Sequence, residues 1–322
     1  MDWANQFIVF IGLQSAFALI IGLCIWPIAR TFRKRSSFLV ILLWSVVLLR
    51  LVMPTDLASE YSLRSAIEWI ADSENTTEIR IVMNAPLAEE LSTEVVNHEL
   101  VVRNTSEVSW LFWVWLIGFL SCMAFFAYLR RPYKQFVKVS LPVDCPVTLG
   151  MVENYRKSLG IYRQVNIRSA AANTPFTIGF LHPTILIPSK LISEEKYSVV
   201  ECIIAHEMHH IRHWDALWLH AQQALQCVYF FNPMVWYANA SIHRARECLR
   251  DSQALRTGHI NMRSYGEALL YFSTSDSTAS KKYKSYPAFA ASDNQLKRRI
   301  EYMIKQKDTR MKNTFAFLVV CL

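Results

Sequence analysis

Apolar positions along this chain are gathered into blocks rather than dispersed. Residues Ile8 to Ile28 are almost wholly apolar and long enough to cross a bilayer as one helix. No small-residue cleavage site follows, so the run reads as an anchor rather than a removable leader. Phe38 to Met53 is a second, shorter run, with Arg50 near its far end, where a long side chain can reach an interface. Trp110 to Leu129 is a third, aromatic at its start. Ala216 to Phe231 is also apolar but carries His220, Gln222, Gln223 and Gln226. It is too polar to face lipid and reads as a helix buried at the membrane surface.

Between and after these blocks the pattern changes period. Val147 to Leu159 predicts a helix and Val165 to Arg168 a short strand. Thr174 to Phe180 and Thr184 to Pro188 predict a hairpin joined through His182-Pro183. Two readings stay open for these strands: one of them is a sheet edge able to take an extended peptide as an added strand, or both are plain core strands. Glu194 to His213 has no Pro or Gly and predicts one helix, with Ser193 able to cap it. Asn232 and Pro233 mark the start of another, running to about Thr257 and stopping at Gly258. It is expected to pack antiparallel to the helix before it. Residues 264–272 form a further helix, Ser273 to Ser285 a polar linker, and Asn294 to Lys307 a basic helix. In the polar stretch 56–107, Ser62 to Ala71 can form an amphipathic helix, while 78–83 and 93–102 are strand-like.

Charge assigns sides to these blocks. The formal net charge of +8 is unevenly spread. Arg30, Arg33, Lys34 and Arg35 follow the first run, and Arg130, Arg131, Lys134 and Lys138 follow the third. Positive charge marks the cytoplasmic side, which puts the N-terminus outside. Residues 56–107 hold eleven acids against three arginines and no lysine, as an extracytoplasmic loop should. Residues 130–313 carry 26 Lys and Arg against 14 acids, which suits an anionic leaflet. No aromatic-basic interleaving or DNA-binding motif accompanies that charge, so direct nucleic-acid binding is not expected. Seven cysteines occur, none in residues 56–107 and none at zinc-ribbon spacing. They read as reduced packing residues.

One stretch carries chemistry. His206-Glu207-Met208-His209-His210 is an H-E-x-x-H pattern inside a predicted helix. Positions i and i+4 share a face, so His206 and His210 can bind one Zn²⁺, with Glu207 beside them as base. Downstream, Glu247 and Asp251 are again i and i+4. A catalytic zinc takes three protein ligands and keeps one open position, and Glu247 is the natural third. Asp251 can hold a ligating histidine by its other ring nitrogen. The alternative for this pair is an exposed charged face, since Arg244, Arg246 and Arg250 surround it. His243, one turn before Glu247, either aids the site, by holding a ligand or the oxyanion, or is a surface histidine. The surface reading is favoured.

The motifs His206 to His210 with Asp215, Phe231-Asn232-Pro233 with Trp236, and Arg246-Glu247 with Asp251 resemble the integral-membrane zinc peptidases of the BlaR/MecR type, bacterial antirepressors and sensor-transducers. The resemblance runs over roughly the whole chain. It implies a gluzincin-like domain on the cytoplasmic side, with His206, His210 and Glu247 as ligands and Glu207 as base. Asp215 matches an acid of the family motif, in a structural or ligand-supporting role. In the beta-lactam sensors a penicillin-binding domain follows the last span. This chain ends at Leu322 and is expected to lack it. Thr314 to Leu322 is too short to span a bilayer, so either the chain is a fragment or its last span is incomplete.

The expected fold class is therefore α+β, a polytopic α-helical membrane protein with a cytoplasmic zinc-peptidase domain. Residues 1–55 hold two spans, 56–107 the outer loop, 108–129 the third span and 130–272 the peptidase domain. Residues 273–313 hold the linker and basic helix, and 314–322 the start of a last span. The expected function is zinc-dependent endoproteolysis of a cytoplasmic protein, a repressor or the protease itself, in response to an extracytoplasmic signal. Membrane lipid and self-association are the other expected contacts. Self-cleavage is expected within 275–292, where a polar stretch precedes the apolar run Tyr286 to Ala291. Two other readings stay open: a constitutive quality-control membrane protease, and a non-catalytic signalling scaffold with structural zinc.

Overall fold

The computed structural model describes residues 3–33, 35–53, 109–172, 174–257, 260–279 and 296–305. The expectations for 56–107, for the cleavable stretch 280–292 and for 314–322 lie outside the described residues. The described chain is mostly helical, with one small sheet.

Three apolar helices come first: α1 (Trp3–Phe32), α2 (Ser37–Arg50) and α3 (Ser109–Val139). α1 and α3 are long and apolar enough to cross a membrane, whereas α2 is a shorter apolar helix of 14 residues. α3 does not stop at Leu129. It continues through Arg130, Arg131 and Pro132 to Val139, although Pro132 has no N–H to give to the helical ladder. Ser36 caps α2, its hydroxyl accepting from the Leu39 amide at 3.3 Å.

α2 is held by α8 (Pro233–Thr257). Val40, Trp44, Val47 and Leu48 share a buried cluster with Val235, Ala238, Ile242 and Ala245. The α8 residues recur at three- and four-residue spacing, and the two alanines let the helix axes come close. As the sequence requires, Asn232 caps α8 by accepting from the Met234 amide at 2.8 Å. The same side chain donates to Ser15 Oγ at 2.8 Å, and the Tyr229 hydroxyl donates to the Leu51 carbonyl at 2.9 Å. Phe230 fills the space beside Gly118, and Met234 the space beside Gly22. The corner between α7 (Asp215–Val228) and α8 thus reaches the middle of α1 and α3, not their charged ends. α7 is therefore seated deeper among the apolar helices than its polar composition implies. Gln222, Gln223 and Gln226 are buried along it, with Gln226 accepting from Asn239 at 3.2 Å.

The sheet holds β1 (Leu141–Pro142), β2 (Asn166–Ala170), β3 (Phe176–Ile178) and β4 (Thr184–Pro188) in the order β1-β2-β4-β3. β2 and β4 are parallel, while β3 and β4 form the expected antiparallel hairpin. Gly179 turns that hairpin at φ 86°, where a Cβ would meet the His182 carbonyl oxygen at 2.7 Å. β3 lies at one edge, with Thr177 opposite Ile185. Ile185, Ile187, Val200, Ile204 and Met208 build the main core together with α4 (Pro146–Ser158).

The zinc-motif helix begins later than the sequence implies. Ser189–Ser193 is a separate short helix, α5, and Ser193 caps nothing; its hydroxyl donates to the Lys190 carbonyl. α5 closes in a Schellman motif: Lys196 N donates to Leu191 O, Glu195 N donates to Ile192 O, and Glu195 sits at φ 51°. A glutamate occupies the left-handed position that glycine usually marks, which is why the break is invisible in the composition. α6 then runs from Tyr197 to Arg212. α9 (Met262–Ala279) runs past Ser273, where the polar linker was expected to start, since after Gly266 no Gly or Pro interrupts it. Residues 296–305 are helical within the expected basic helix, and Tyr302 and Met303 are buried.

Candidate metal centre

α6 places His206 and His210 one above the other, with ring centroids 4.7 Å apart and their Nε2 atoms 3.0 Å apart. α8 crosses beneath and brings Glu247 to both. Its Oε2 lies 3.5 Å from His206 Nε2 and its Oε1 3.6 Å from His210 Nε2. One ligand atom from each residue lies within 4.8 Å of the others, the group among the described residues that could hold a metal ion. A tetrahedral ion with bonds of about 2.0–2.1 Å sets its ligand atoms roughly 3.3 Å apart. The spacings bracket that value, so the donor set fits zinc.

Each imidazole is fixed from behind. His206 Nδ1 lies 3.0 Å from Asp251 Oδ1, and His210 Nδ1 lies 2.7 Å from Asp215 Oδ2. With each Nδ1 turned outward to a carboxylate, each Nε2 is the ring atom that faces the centre and would bind the metal. Each carboxylate is clamped in turn by an arginine. Arg299 donates from Nε and Nη2 to the two oxygens of Asp251, at 2.7 and 2.6 Å. Arg250 donates likewise to Asp215, at 2.7 and 2.8 Å. The Tyr265 hydroxyl donates to Asp251 Oδ1 at 2.8 Å and lies 2.9 Å from His206 Nδ1. The charged face around Glu247 and Asp251 is therefore not exposed: Asp251 is 0% exposed, and Arg246 and Arg250 are buried against Asp215.

Burial opposes charge at every one of these groups, and the partners outweigh it. Burial would raise Glu247, but His206, His210 and Arg299 hold it well below the usual carboxylate range. Asp251 is likewise brought down to about 2, burial being overcome by Arg299 and His206. Burial would lower His206, yet Asp251 and Glu247 lift it to about 10. His243 behaves oppositely. It is half-buried rather than a surface residue, and burial pushes it down to about 4 although Glu247 pulls the other way.

Glu207 lies on α6 beside the ligands and is buried. Thr177, on edge strand β3, donates to its Oε2 at 2.6 Å. Thr177, Tyr265, Arg250 and Arg299 carry no motif, and their place at the site follows from tertiary packing alone.

A family model described as BlaR1 peptidase M56 matches residues 9–303. The chain belongs to this family. It is a family of metallopeptidases, linked through its BlaR- and MecR-type relatives to signal transduction. The regulatory protein BlaR1 of Bacillus licheniformis is 27% identical over 191 residues, covering 59% of this chain and 31% of that protein. The methicillin resistance mecR1 protein of Staphylococcus aureus is 22% identical over 220 residues, covering 64% of this chain and 36% of that protein. The chain thus spans about a third of the length of these curated relatives. The gathering of His206, His210 and Glu247 is where the metal of such a peptidase can be held.

Proposed function

We propose that this chain is a membrane-embedded zinc endopeptidase that cleaves a cytoplasmic protein, of the repressor type or itself, in response to an extracytoplasmic signal. The observation that carries the reading is the triad His206, His210 and Glu247, each histidine backed by a buried aspartate, with Glu207 one residue along the same helix. Zinc bound there supplies a Lewis acid that polarises the scissile carbonyl and activates water. Glu207 takes the proton of the attacking water on its carboxylate and passes it to the leaving amine. Thr177 holds one oxygen of that carboxylate, which leaves the other to face the water. His243, one turn before Glu247 on the same helix, is half-buried, and that burial keeps it neutral at pH 7. The outer edge of β3 receives the substrate backbone as an added strand, which brings the scissile bond toward Glu207. Asp251 and Asp215 keep the ligating histidines in register.

In this reading α1, α2 and α3 are the membrane helices, the N-terminus lies outside, and the metal centre lies on the cytoplasmic side within a peptidase domain over 130–272. A purely structural zinc would be closed by a fourth protein ligand, and the group gathered among the described residues offers three. The test is zinc analysis of the detergent-purified protein together with cleavage of a quenched peptide library. Glu207→Gln should retain one zinc and lose cleavage by about 100-fold or more. A variant that cleaves at the wild-type rate would overturn the mechanism.

A further inference from the structure

We infer that Arg299 is a positioning residue of the metal centre, and that the helix carrying it connects that centre to the turn between α1 and α2. The inference rests on the zinc reading of the site given above. One guanidinium touches two carboxylates of different function. It grips Asp251, which holds His206, through Nε and Nη2 at 2.7 and 2.6 Å, and its Nη1 lies 3.7 Å from Oε2 of Glu247, the ligand itself. Glu247 and Asp251 are one turn apart on α8, where like charges repel. A planar fork lying against both offsets that repulsion and fixes the direction of each carboxylate. His206 and Glu247 therefore take their orientation in part from one side chain that belongs to neither α6 nor α8.

The same helix is tied at a second point. Tyr302, one turn after Arg299, accepts a hydrogen bond on its hydroxyl from the Ser37 amide at 3.2 Å. Ser37 is the first residue of α2, and its N–H has no acceptor within that helix. Both residues are buried, and Met303 beside Tyr302 joins the core that contains Tyr265 and Ala268. Residues three apart on a helix share a face, so Tyr302 cannot shift with the α1–α2 turn without shifting Arg299. Movement at that turn reaches Glu247 and His206 through one rigid turn of helix.

The test uses zinc affinity of the full chain in detergent, measured by competition with a chromophoric chelator, alongside kcat and KM. Arg299→Lys keeps the charge but loses the fork, and Arg299→Ala loses both. A positioning role predicts that each weakens zinc binding, by about 10- to 100-fold, and lowers kcat more than KM. If Arg299 were only a positive charge opposing the metal, Arg299→Ala would bind zinc more tightly and Arg299→Lys would match wild type; either result overturns the positioning role. Because Arg299→Lys keeps the buried charges balanced, it separates misfolding from mispositioning. Tyr302→Phe tests the connection. It should weaken zinc binding a few-fold in the wild-type background and not at all in the Arg299→Ala background. No effect in wild type, or the same effect in both, overturns the connection. A zinc-free wild type would overturn the site reading and this role together. A zinc-binding wild type with unchanged Arg299 variants would overturn this role alone.

Discussion

Thr177 and Glu207 are joined by a 2.6 Å hydrogen bond, and it is the link between the edge strand and the zinc-motif helix. The threonine hydroxyl donates and the carboxylate accepts, so one of the two oxygens of the proposed base is committed. Free rotation of the carboxyl would spoil its aim at the water. Thr177→Val keeps the shape and the strand preference but removes the donor. A bond to an ionised group contributes about 1.5–3 kcal/mol, so kcat should fall by roughly 10-fold or more with KM within about twofold. Thr177→Ser should recover most of the rate. Steady-state cleavage of a quenched peptide measures both, and a Thr177→Val enzyme with unchanged kcat would show that the bond does not matter for Glu207.

Metal binding should be steeply pH-dependent. In the metal-free site His206 keeps its proton up to about pH 10, because Asp251 and Glu247 outweigh burial. A metal must displace that proton. Below pH 10 the proton competes, so the apparent Kd for zinc should fall about tenfold for each unit of pH rise between about 6.5 and 9. Glu247 is already ionised throughout that window and adds no competition. Calorimetric titrations in buffers of different ionisation enthalpy should show at least one proton released per zinc at pH 7. A pH-independent affinity would mean that His206 does not enter the coordination sphere.

The parts of this site that could be read from the sequence are those that depend on one helix at a time. The i and i+4 spacing of His206 and His210, and again of Glu247 and Asp251, fixes a shared face before any fold is known. Asn232-Pro233 announced the start of α8 for the same local reason. What could not be read depends on distant chain segments meeting. Arg299 looks like any residue of a basic helix, and only its approach to Asp251 across 48 positions makes it part of the site. Tyr265 and Thr177 are silent for the same reason. His243 looked like a surface residue because periodicity does not say what covers a helix face. The break between α5 and α6 escaped because Glu195, not glycine, occupies the left-handed position.

Asp215→Asn should cost both stability and metal affinity. Asp215 is 6% exposed and is the bidentate partner of Arg250, itself 5% exposed. Removing its charge strands a buried guanidinium, which costs about 3–5 kcal/mol, and frees His210, which costs about 10- to 100-fold in zinc affinity. Arg250→Met in the Asp215→Asn background removes the closer of the two arginines buried against Asp215 and should recover part of the stability, Arg246 remaining, without recovering zinc affinity. Thermal melting and chelator competition separate the two effects. An Asp215→Asn protein that melts at the wild-type temperature would show that water, not Asp215, satisfies Arg250.

The sidedness of the molecule can be tested by thiol labelling. The proposed topology, argued from the positive flanks after α1 and along the end of α3, puts those ends in the cytoplasm and the acid-rich 56–107 stretch outside. Tyr162, 97% exposed between α4 and β2, would face the cytoplasm on the side of the metal centre. In a background with the cysteines replaced, Ser73→Cys should react with a membrane-impermeant thiol reagent on intact cells. Tyr162→Cys should react only after lysis. The full set of native cysteines must be removed first, because Cys24 is exposed and would label in its own right. If Tyr162→Cys labels on intact cells and Ser73→Cys does not, the metal centre lies outside. A cytoplasmic substrate would then be out of reach of Glu207, whatever its chemistry.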